Sequence, residues 1–568
     1  MLFTSPLFIA FFGLISILFM LFNIHRSLGL TRIEDDTGSS PILYKSGYFK
    51  AINCSIVKLI KTAYYKLLIR LKIGIGREKD KSTESSLAEN ASTYNKGLKL
   101  GNKKHKNNLN NALLLFSSLL FYITLNKIFI LILLSVVTWD YYLGKLIETS
   151  SHRKKLFLLT SICLNIGTLL LFKYAHFMSI NILNIIIKVT EINQLNDYNN
   201  SIESIEWVLP LGISFFIFQS MSYTIDLYRG IIKPSKSWMD YCLYVSFFPQ
   251  LVAGPIVKAK EFLPQLYYRI TWSQVPLFSA FSWIALGFFK KAVLADRLAE
   301  IVDFAYGNVS ALDWSFALIS ILSYSFQIFL DFSGYSDIAI GIALLFGFRL
   351  SKNFNLPYLS KSFSEFWNRW HISLSSWLKD YLYIPLGGNR IGSLLTYRNL
   401  FLVMLLGGLW HGASWNFVIW GGLHGFLLAL ERLFFDKKIT ITENLKESSF
   451  GKFKSIFIYK LFPTLLVFSL TTLLWVLFRA PDFSTAMEMF LKVFTLDSGL
   501  KLPYTFLTSF SLVFLFLSVG HIAGKCKIHP EYWENSPFKI KHGLAFAIIA
   551  IAITLLARPG KPFIYFVF

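Results

Sequence analysis

A histidine within a long uncharged stretch of the chain is the first candidate for chemistry. Residues 400–430 contain no Asp, Glu, Lys or Arg, yet they contain His411 and His424. An ionisable side chain in such a stretch is costly and indicates a functional role, and imidazole is well suited to act as a general base near neutral pH. His411 is therefore the leading candidate for a catalytic base, whereas we interpret His424 as structural.

Two glycines, Gly407 and Gly408, come one helical turn before His411. Because helical side chains lean toward the preceding turn, the imidazole would lie over a surface without side chains, which leaves room for a thin substrate. The alternative is that the glycines allow two helices to pack closely, with His411 as a hydrogen-bonding residue between them. The residues by themselves favour neither interpretation.

A second histidine, His371, lies in a segment where charged and aromatic residues mix. Ser362 and Glu365 form a capping box, which predicts the start of a helix, and Glu365 can pair with Arg369 four residues later. The surrounding Trp and Tyr residues indicate a position at the membrane interface, and Pro385 with the glycines that follow it predicts a turn. Taken alone, the segment is best interpreted as an ordinary interfacial helix.

Two carboxylates, Asp331 and Asp337, flank Gly334 inside another apolar segment. Their spacing would not place them on one face of a helix, and the glycine between them predicts a break in the helix. The carboxylates could orient a histidine or bind a polar head group. The structural alternative is that they cap the ends of the broken helix.

The elements that position these residues must lie in a membrane. The 568 residues are 54% hydrophobic, 17% aromatic and only 16% charged, with a formal net charge of +23. Soluble domains carry roughly 25% charged residues. In a polytopic membrane protein the positive charge is explained by cytoplasmic loops rich in Lys and Arg, so no nucleic-acid partner is predicted. The four cysteines are scattered, which argues against a disulfide framework or a metal site.

Three parts are predicted along the chain. Residues 1–24 form the first transmembrane helix, residues 25–111 form a basic cytoplasmic insert with an amphipathic helix and a linker, and residues 112–568 form the membrane core. Apolar segments recur through that core and predict about ten to twelve transmembrane helices. The fold class is therefore an all-α polytopic membrane protein. The chain has no visible internal repeat, so an inverted-repeat transporter is not indicated.

Several motifs in a fixed order make the chain resemble the membrane-bound O-acyltransferase superfamily, and most closely its branch of alginate O-acetyltransferase membrane subunits. The resemblance begins near Leu209 and runs to the C terminus, while the basic insert before it is longer than the family leads us to expect. The motifs are Leu209–Phe215, Phe218–Ser220, Asp226–Gly230, Phe248–Ile256, Asp331–Asp337, Trp370–Ser375, Pro385–Arg390, Gly407–Asn416, Phe478–Pro481 and Pro562–Tyr565.

The resemblance implies a ring of tilted transmembrane helices around a thin central floor, with re-entrant or interfacial helices. It implies that His411 matches the essential histidine of the family and that His371 matches its second marked histidine. These two residues are the predicted catalytic pair. Asp331, Trp410 and Asn416 are predicted to bind substrate, while residues that bind a cofactor cannot be named from the sequence.

The resemblance also implies the reaction and its setting. An acetyl group would move from a cytoplasmic thioester donor, such as acetyl-CoA or an acyl carrier, to hydroxyls of an extracytoplasmic polysaccharide. The transfer would be direct or would pass through an extracytoplasmic hydrolase-like partner. Neither a bound cofactor nor a metal is expected. The protein is expected to be a multi-pass protein of the bacterial cytoplasmic membrane, in contact with its lipids.

Two other functions compete with this hypothesis. One is transfer of D-alanine toward teichoic acid, which belongs to the same superfamily and predicts an aminoacyl carrier as partner. The other is a non-enzymatic transporter of a lipid-linked sugar, which predicts that function survives the loss of His411.

Overall fold

The computed structural model describes residues 13–16, 108–125, 127–190, 209–268, 274–435, 461–526, 528–558 and 560–564. The predicted first transmembrane helix lies outside them except for four helical residues, and so does the basic insert except for its last four residues. The described residues form helices and turns, with one isolated β-bridge between Leu312 and Leu500 and no strand. The predicted all-α class is thereby confirmed.

The first half of the described chain contains long apolar helices and a group of short ones. In chain order they are α1 (Asn108–Leu125), α2 (Phe129–Thr149), α3 (Lys154–Thr190), α4 (Ile213–Tyr228), α5 (Trp238–Ser246), α6 (Phe248–Leu251), α7 (Ala259–Tyr268), α8 (Leu277–Gly307) and α9 (Trp314–Leu345). Helices α3 and α8 each contain a π-helical turn, at Leu170–Tyr174 and Phe289–Ala295.

The second half places two short helices before a further group of long ones. They are α10 (Phe363–Arg369), α11 (Ile372–Leu378), α12 (Ser393–His411), α13 (Trp415–Phe435), α14 (Phe462–Arg479), α15 (Phe483–Phe494), α16 (Tyr504–Lys525) and α17 (Ile540–Leu556). A π-helical turn, Lys379–Tyr383, follows α11.

Eight helices of the described part are long and apolar enough to cross a membrane, namely α2, α3, α8, α9, α12, α13, α14 and α16. Two shorter apolar helices, Leu109–Leu125 and Ile540–Leu556, add to this set. The chain is therefore a multi-pass membrane protein. The total of ten to twelve spans and the ring around a central floor stay predictions.

Helix α9 forms the centre of the described core, because its whole apolar window is buried. The predicted break at Gly334 is wrong, since α9 runs through this residue without interruption. Gly334 instead lets α8 approach, and a Cβ atom built there would lie 2.9 Å from the carbonyl oxygen of Gly287. A glycine within an apolar helix thus allows close packing, as small residues do between membrane helices.

The start of the segment around His371 is built as its local sequence predicts, but the interpretation as one ordinary interfacial helix is wrong, because the segment forms two short helices and His371 between them is buried. The Ser362 hydroxyl accepts a hydrogen bond from the Glu365 amide (3.0 Å) at the start of α10, and Glu365 pairs with Arg369 (2.6 Å). The helix ends at Arg369, and His371 adopts a left-handed backbone conformation (φ 43°, ψ 54°) before α11 begins. Gly387 and Gly388 have positive φ in the predicted turn.

Helices α12 and α13 cross at two glycines. A Cβ atom on Gly408 would lie 2.9 Å from the Gly421 Cα atom and would also collide with the Phe417 carbonyl oxygen. A Cβ atom on Gly407 would meet only the Leu378 side chain, at 3.3 Å. At Gly408 the structure therefore favours close helix packing over an open space for substrate.

This difference predicts unequal effects of two neighbouring substitutions. Gly408→Ala forces backbone atoms apart and should lower the free energy of unfolding by about 1–3 kcal/mol. Gly407→Ala needs only a small shift of a leucine side chain and should stay close to the wild type. Thermal unfolding of the detergent-purified variants measures both effects. Equal melting temperatures for the two variants would contradict the packing assigned to Gly408.

Candidate active site

His411 is the last residue of α12 and is 5% exposed. The chain turns directly after it, because Gly412 adopts an extended conformation (φ −161°, ψ 154°). A side chain on Gly412 would collide with the Phe417 ring. The histidine therefore lies where one apolar helix ends and the chain turns back into α13.

Aromatic rings surround the His411 imidazole. The centroids of the Trp410, Trp420 and Phe478 rings lie 4.9, 5.2 and 5.2 Å from its own, each at a steep angle. These contacts come from α12, α13 and α14, so three helices position the imidazole. An apolar enclosure of this kind limits the access of water to the imidazole.

His371 lies beside this enclosure and is fully buried. Its ring centroid is 6.5 Å from that of His411, 6.0 Å from that of Trp410 and 4.6 Å from that of Phe332. His371 lies outside the eight candidate spans, and burial lowers the pKa of its imidazole to about 3. The ring is therefore neutral at physiological pH.

The backbone at His371 is held in a conformation that few non-glycine residues adopt. The amide of Ile372 donates to the carbonyl of Asn353 (2.9 Å), and the Asn353 side chain accepts a hydrogen bond from the Ser373 hydroxyl (2.9 Å). A left-handed residue fixed by its neighbours is typical of functional sites, where the surroundings compensate local strain.

Three of the five predicted site residues, His411, His371 and Trp410, lie together. Asn416 lies near the start of α13, where its amide donates to the Ala480 carbonyl (3.1 Å). This hydrogen bond ties α13 to the end of α14, so the contact that the structure gives Asn416 is structural.

Asp331 is bound in an ion network. Its carboxylate pairs with Lys291 (2.7 Å) and accepts a hydrogen bond from the Ile564 amide (2.7 Å). Lys291 also pairs with Asp296 (2.8 Å). Among the described residues these contacts join α8, α9 and the C-terminal segment, and none of them reaches either histidine of the pair. The neighbouring residue Phe332 provides the link to His371.

His424 is separated from His411 by Trp420, whose ring lies 4.8 Å from that of His424 and 5.2 Å from that of His411. The ring of His424 packs against that of Trp367, with centroids 5.1 Å apart. His424 is therefore packed as a core residue.

Sequence reasoning missed two residues of the site, Lys173 and Tyr174. The Lys173 ammonium donates to the carbonyls of Trp410 (2.5 Å) and His411 (3.0 Å), and the Tyr174 hydroxyl donates to the carbonyl of Leu409 (2.8 Å). A signal was present in the sequence, because Lys173 is a charged residue in the middle of an apolar segment. The same argument that selects His411 applies to it.

The enclosure contains two buried indole N–H groups. The Nε1 atoms of Trp410 and Trp420 are buried and have no hydrogen-bond partner among the described residues. A buried donor without a partner is destabilising, and a bound substrate oxygen would satisfy it. The described residues hold no group of three or more His, Cys, Asp or Glu side chains that could bind a metal ion.

Comparison with known proteins identifies the family of the chain. Residues 157–468 match the MBOAT, membrane-bound O-acyltransferase family, and this range contains both histidines of the pair. A probable alginate O-acetylase of Pseudomonas putida is 39% identical over 390 residues, which cover 68% of this chain and 75% of that relative.

Two further relatives carry other names. A peptidoglycan O-acetyltransferase of Helicobacter pylori is 37% identical over 410 residues, which cover 66% of this chain and 72% of that relative. A teichoic acid D-alanyltransferase of Streptococcus thermophilus is 29% identical over 260 residues, which cover 42% of this chain and 60% of that relative. The matched family range and the first relative establish the identity: the chain belongs to the membrane-bound O-acyltransferase family and is an acyltransferase.

Proposed function

We propose that this acyltransferase moves an acetyl group from a cytoplasmic thioester donor to hydroxyl groups of an extracytoplasmic polysaccharide, in the bacterial cytoplasmic membrane. The observation that carries the proposal is the buried pair of His411 and His371, with ring centroids 6.5 Å apart at the end of an apolar helix. An acyl transfer between two substrates needs a base in a dry site, and His411 is placed for that role.

The sidedness rests on the distribution of charge. The segment after α4 is basic, with Arg229, Lys233 and Lys236, which indicates the cytoplasmic side. Residues 191–206 contain acidic residues and no Lys or Arg, which indicates the opposite side. The Arg229 side chain donates to the Asp380 carbonyl (3.0 Å), which supports a cytoplasmic position for the segment before α12. Because α12 runs away from this side, its last residue His411 faces the opposite half of the membrane.

The proposed reaction needs one base and one leaving thiolate. His411 accepts the proton of the acceptor hydroxyl as its oxygen attacks the thioester carbonyl carbon. The new C–O bond forms, the C–S bond breaks, and the departing thiolate takes the proton from the imidazolium of His411. His371 orients the donor, and the Trp410 indole N–H is placed to bind the acyl oxygen, on which negative charge develops.

A line of aromatic rings connects the cytoplasmic side with His411. Tyr381 contacts Trp377 (centroids 5.2 Å apart), and Trp377 stacks on Phe218 (3.8 Å, 8°). Phe218 packs against Trp410 at an angle of 29° (5.5 Å). Trp410 in turn contacts His411. Such flat apolar rings provide a wall along which a thin thioester arm could reach the histidine pair, which supports a donor from the cytoplasm.

A charged cluster lies at the cytoplasmic end of this line. Lys258 pairs with Asp380 (2.7 Å) and donates to the Ser376 hydroxyl (2.6 Å), while Arg229 is exposed beside the Tyr381 ring (5.4 Å). Arg229 is therefore placed to attract an anionic donor such as acetyl-CoA.

The acceptor is inferred from the relatives. Alginate and peptidoglycan O-acetylation in their names favour a polysaccharide as acceptor. The membrane enzyme would then act directly or hand the acetyl group to an extracytoplasmic hydrolase-like partner. D-alanyl transfer is the second candidate, because a D-alanyltransferase is also similar, although over a smaller share of the chain.

The first prediction concerns His411 itself. His411→Ala removes the proposed base, so acetyl incorporation into surface glycans should fall by about 100-fold or more. The measurement is incorporation of radiolabelled acetate by cells that contain equal amounts of folded protein in the membrane. Parallel labelling with D-alanine separates the two candidate acyl groups.

His152→Ala is the matched control, because this histidine is exposed in the turn between α2 and α3. The control should incorporate acetate at the wild-type rate. Unchanged incorporation in His411→Ala would refute the mechanism, and His411 would then be a packing residue between helices.

A second prediction concerns the donor. Arg229→Gln removes one exposed positive charge and should raise the KM for acetyl-CoA about two- to fivefold, as expected for an exposed charge interaction of up to about 1 kcal/mol. The KM for a neutral acetyl thioester, acetyl-N-acetylcysteamine, should not change. Initial rates of thiol release by the purified enzyme measure both constants.

Arg153→Gln is the matched control, because Arg153 is exposed before α3 and has no described contact with Asp380. An equal rise of KM for both thioesters, or no rise for either, would argue against an anionic donor at this cluster.

A further inference from the structure

Two neighbouring side chains of α3 hold the last turn of the helix that carries His411. The Lys173 ammonium donates to the carbonyls of Trp410 (2.5 Å) and His411 (3.0 Å) and lies 3.4 Å from the Ser214 hydroxyl. The Tyr174 hydroxyl donates to the carbonyl of Leu409 (2.8 Å). Three successive carbonyl groups at the end of α12 are thus bound by one short segment of a helix more than 200 residues earlier in the chain.

The end of α12 requires such donors. The last four carbonyl groups of an α-helix have no amide partner within the helix, and lipid offers no replacement. The chain cannot supply amides by continuing the helix, because Gly412 is extended. Without Lys173 and Tyr174, these carbonyls would lose their donors and the last turn would be free to unwind.

The local conformation of α3 fits this task. Neighbouring side chains on an α-helix point about 100° apart, yet Lys173 and Tyr174 both reach the same helix end. They do so from a π-helical turn, Leu170–Tyr174. Turns of this kind are rare within α-helices and occur frequently at functional sites.

The charge of Lys173 matters as well as its hydrogen bonds. An ammonium group within an apolar helix is costly, and the described hydrogen-bond partners of Lys173 are neutral oxygen atoms. The C-terminal end of an α-helix carries a partial negative charge, which stabilises a cation placed there. The end of α12 therefore provides the counter-charge for Lys173, and Lys173 in return holds the end of α12.

We propose that Lys173 is a positioning residue for acyl transfer: together with Tyr174 it fixes the last turn of α12 and so the placement of Trp410 and His411 relative to His371. This inference rests on the proposed function of His411. Both residues whose carbonyls Lys173 binds carry side chains of the site. A shift of the helix end therefore moves the base and the indole donor together.

The test compares two substitutions of Lys173 with a control on the same helix. Lys173→Met keeps the length of the side chain but removes its donors and charge. It should reduce acetate incorporation about 100-fold, as expected when a reacting group is displaced by about 1 Å. Lys173→Arg keeps donors and charge and should recover at least about a tenth of the wild-type rate. Lys188→Met, at an exposed position of α3, should have no effect.

A second measurement separates positioning from general stability. Diethyl pyrocarbonate modifies accessible imidazoles, and mass spectrometry reports each histidine of the purified protein separately. In Lys173→Met, His411 should react faster than in the wild type, whereas His424, buried on the neighbouring helix, should stay protected. Parallel exposure of His411 and His424 would mean that Lys173 only stabilises the fold, and would overturn the proposal.

His411→Ala in the same experiment distinguishes the two proposals. If His411→Ala is inactive while Lys173→Met incorporates acetate at the wild-type rate, the role of Lys173 is refuted and the proposed function stands. If His411→Ala keeps its activity, the proposed function fails, and the inference about Lys173 fails with it.

Discussion

Lipid offers no hydrogen-bond partner to a polar group, and this constraint decides where the polar residues of the membrane helices lie. Asp140 of α2 is fully buried and accepts hydrogen bonds from Ser161 (2.6 Å) and Asn165 (2.7 Å) of α3. Asp331 pairs with Lys291 across α8 and α9. In each case a polar group joins two helices. The contact of Lys173 with α12 belongs to the same class, but its partners are the carbonyl groups beside the catalytic candidate.

Glycine has the complementary role in this fold. Apolar side chains gain little by leaving lipid for another apolar surface, so membrane helices associate through close packing of small residues. Gly408 and Gly421 allow α12 and α13 to cross closely, and Gly287 and Gly334 do the same for α8 and α9. The first crossing lies one turn before His411. The position of the His411 imidazole among its surrounding rings thus depends on a backbone contact between Gly408 and Gly421. A larger residue at either position would prevent this contact.

Features encoded over a few residues could be predicted from the sequence. Three such features depend only on neighbours within one or two helical turns. They are the capping contact of Ser362, the ion pair of Glu365 with Arg369 and the apolar helices. The interpretation of Gly334 as a break was wrong because it was also local, whereas the role of this residue depends on Gly287 of another helix. Lys173 was missed for the same reason, since its partners lie more than 200 residues later.

His371 and His411 are held near each other by different sets of interactions, and this difference bears on their roles. His371 lies on a left-handed residue between two short helices, held by hydrogen bonds of its backbone neighbours. His411 ends a long helix whose last carbonyls are bound from α3. A centroid separation of 6.5 Å exceeds the reach of a direct hydrogen bond between the rings. The contact between the two rings therefore differs from the hydrogen bond that joins a catalytic base to its orienting partner.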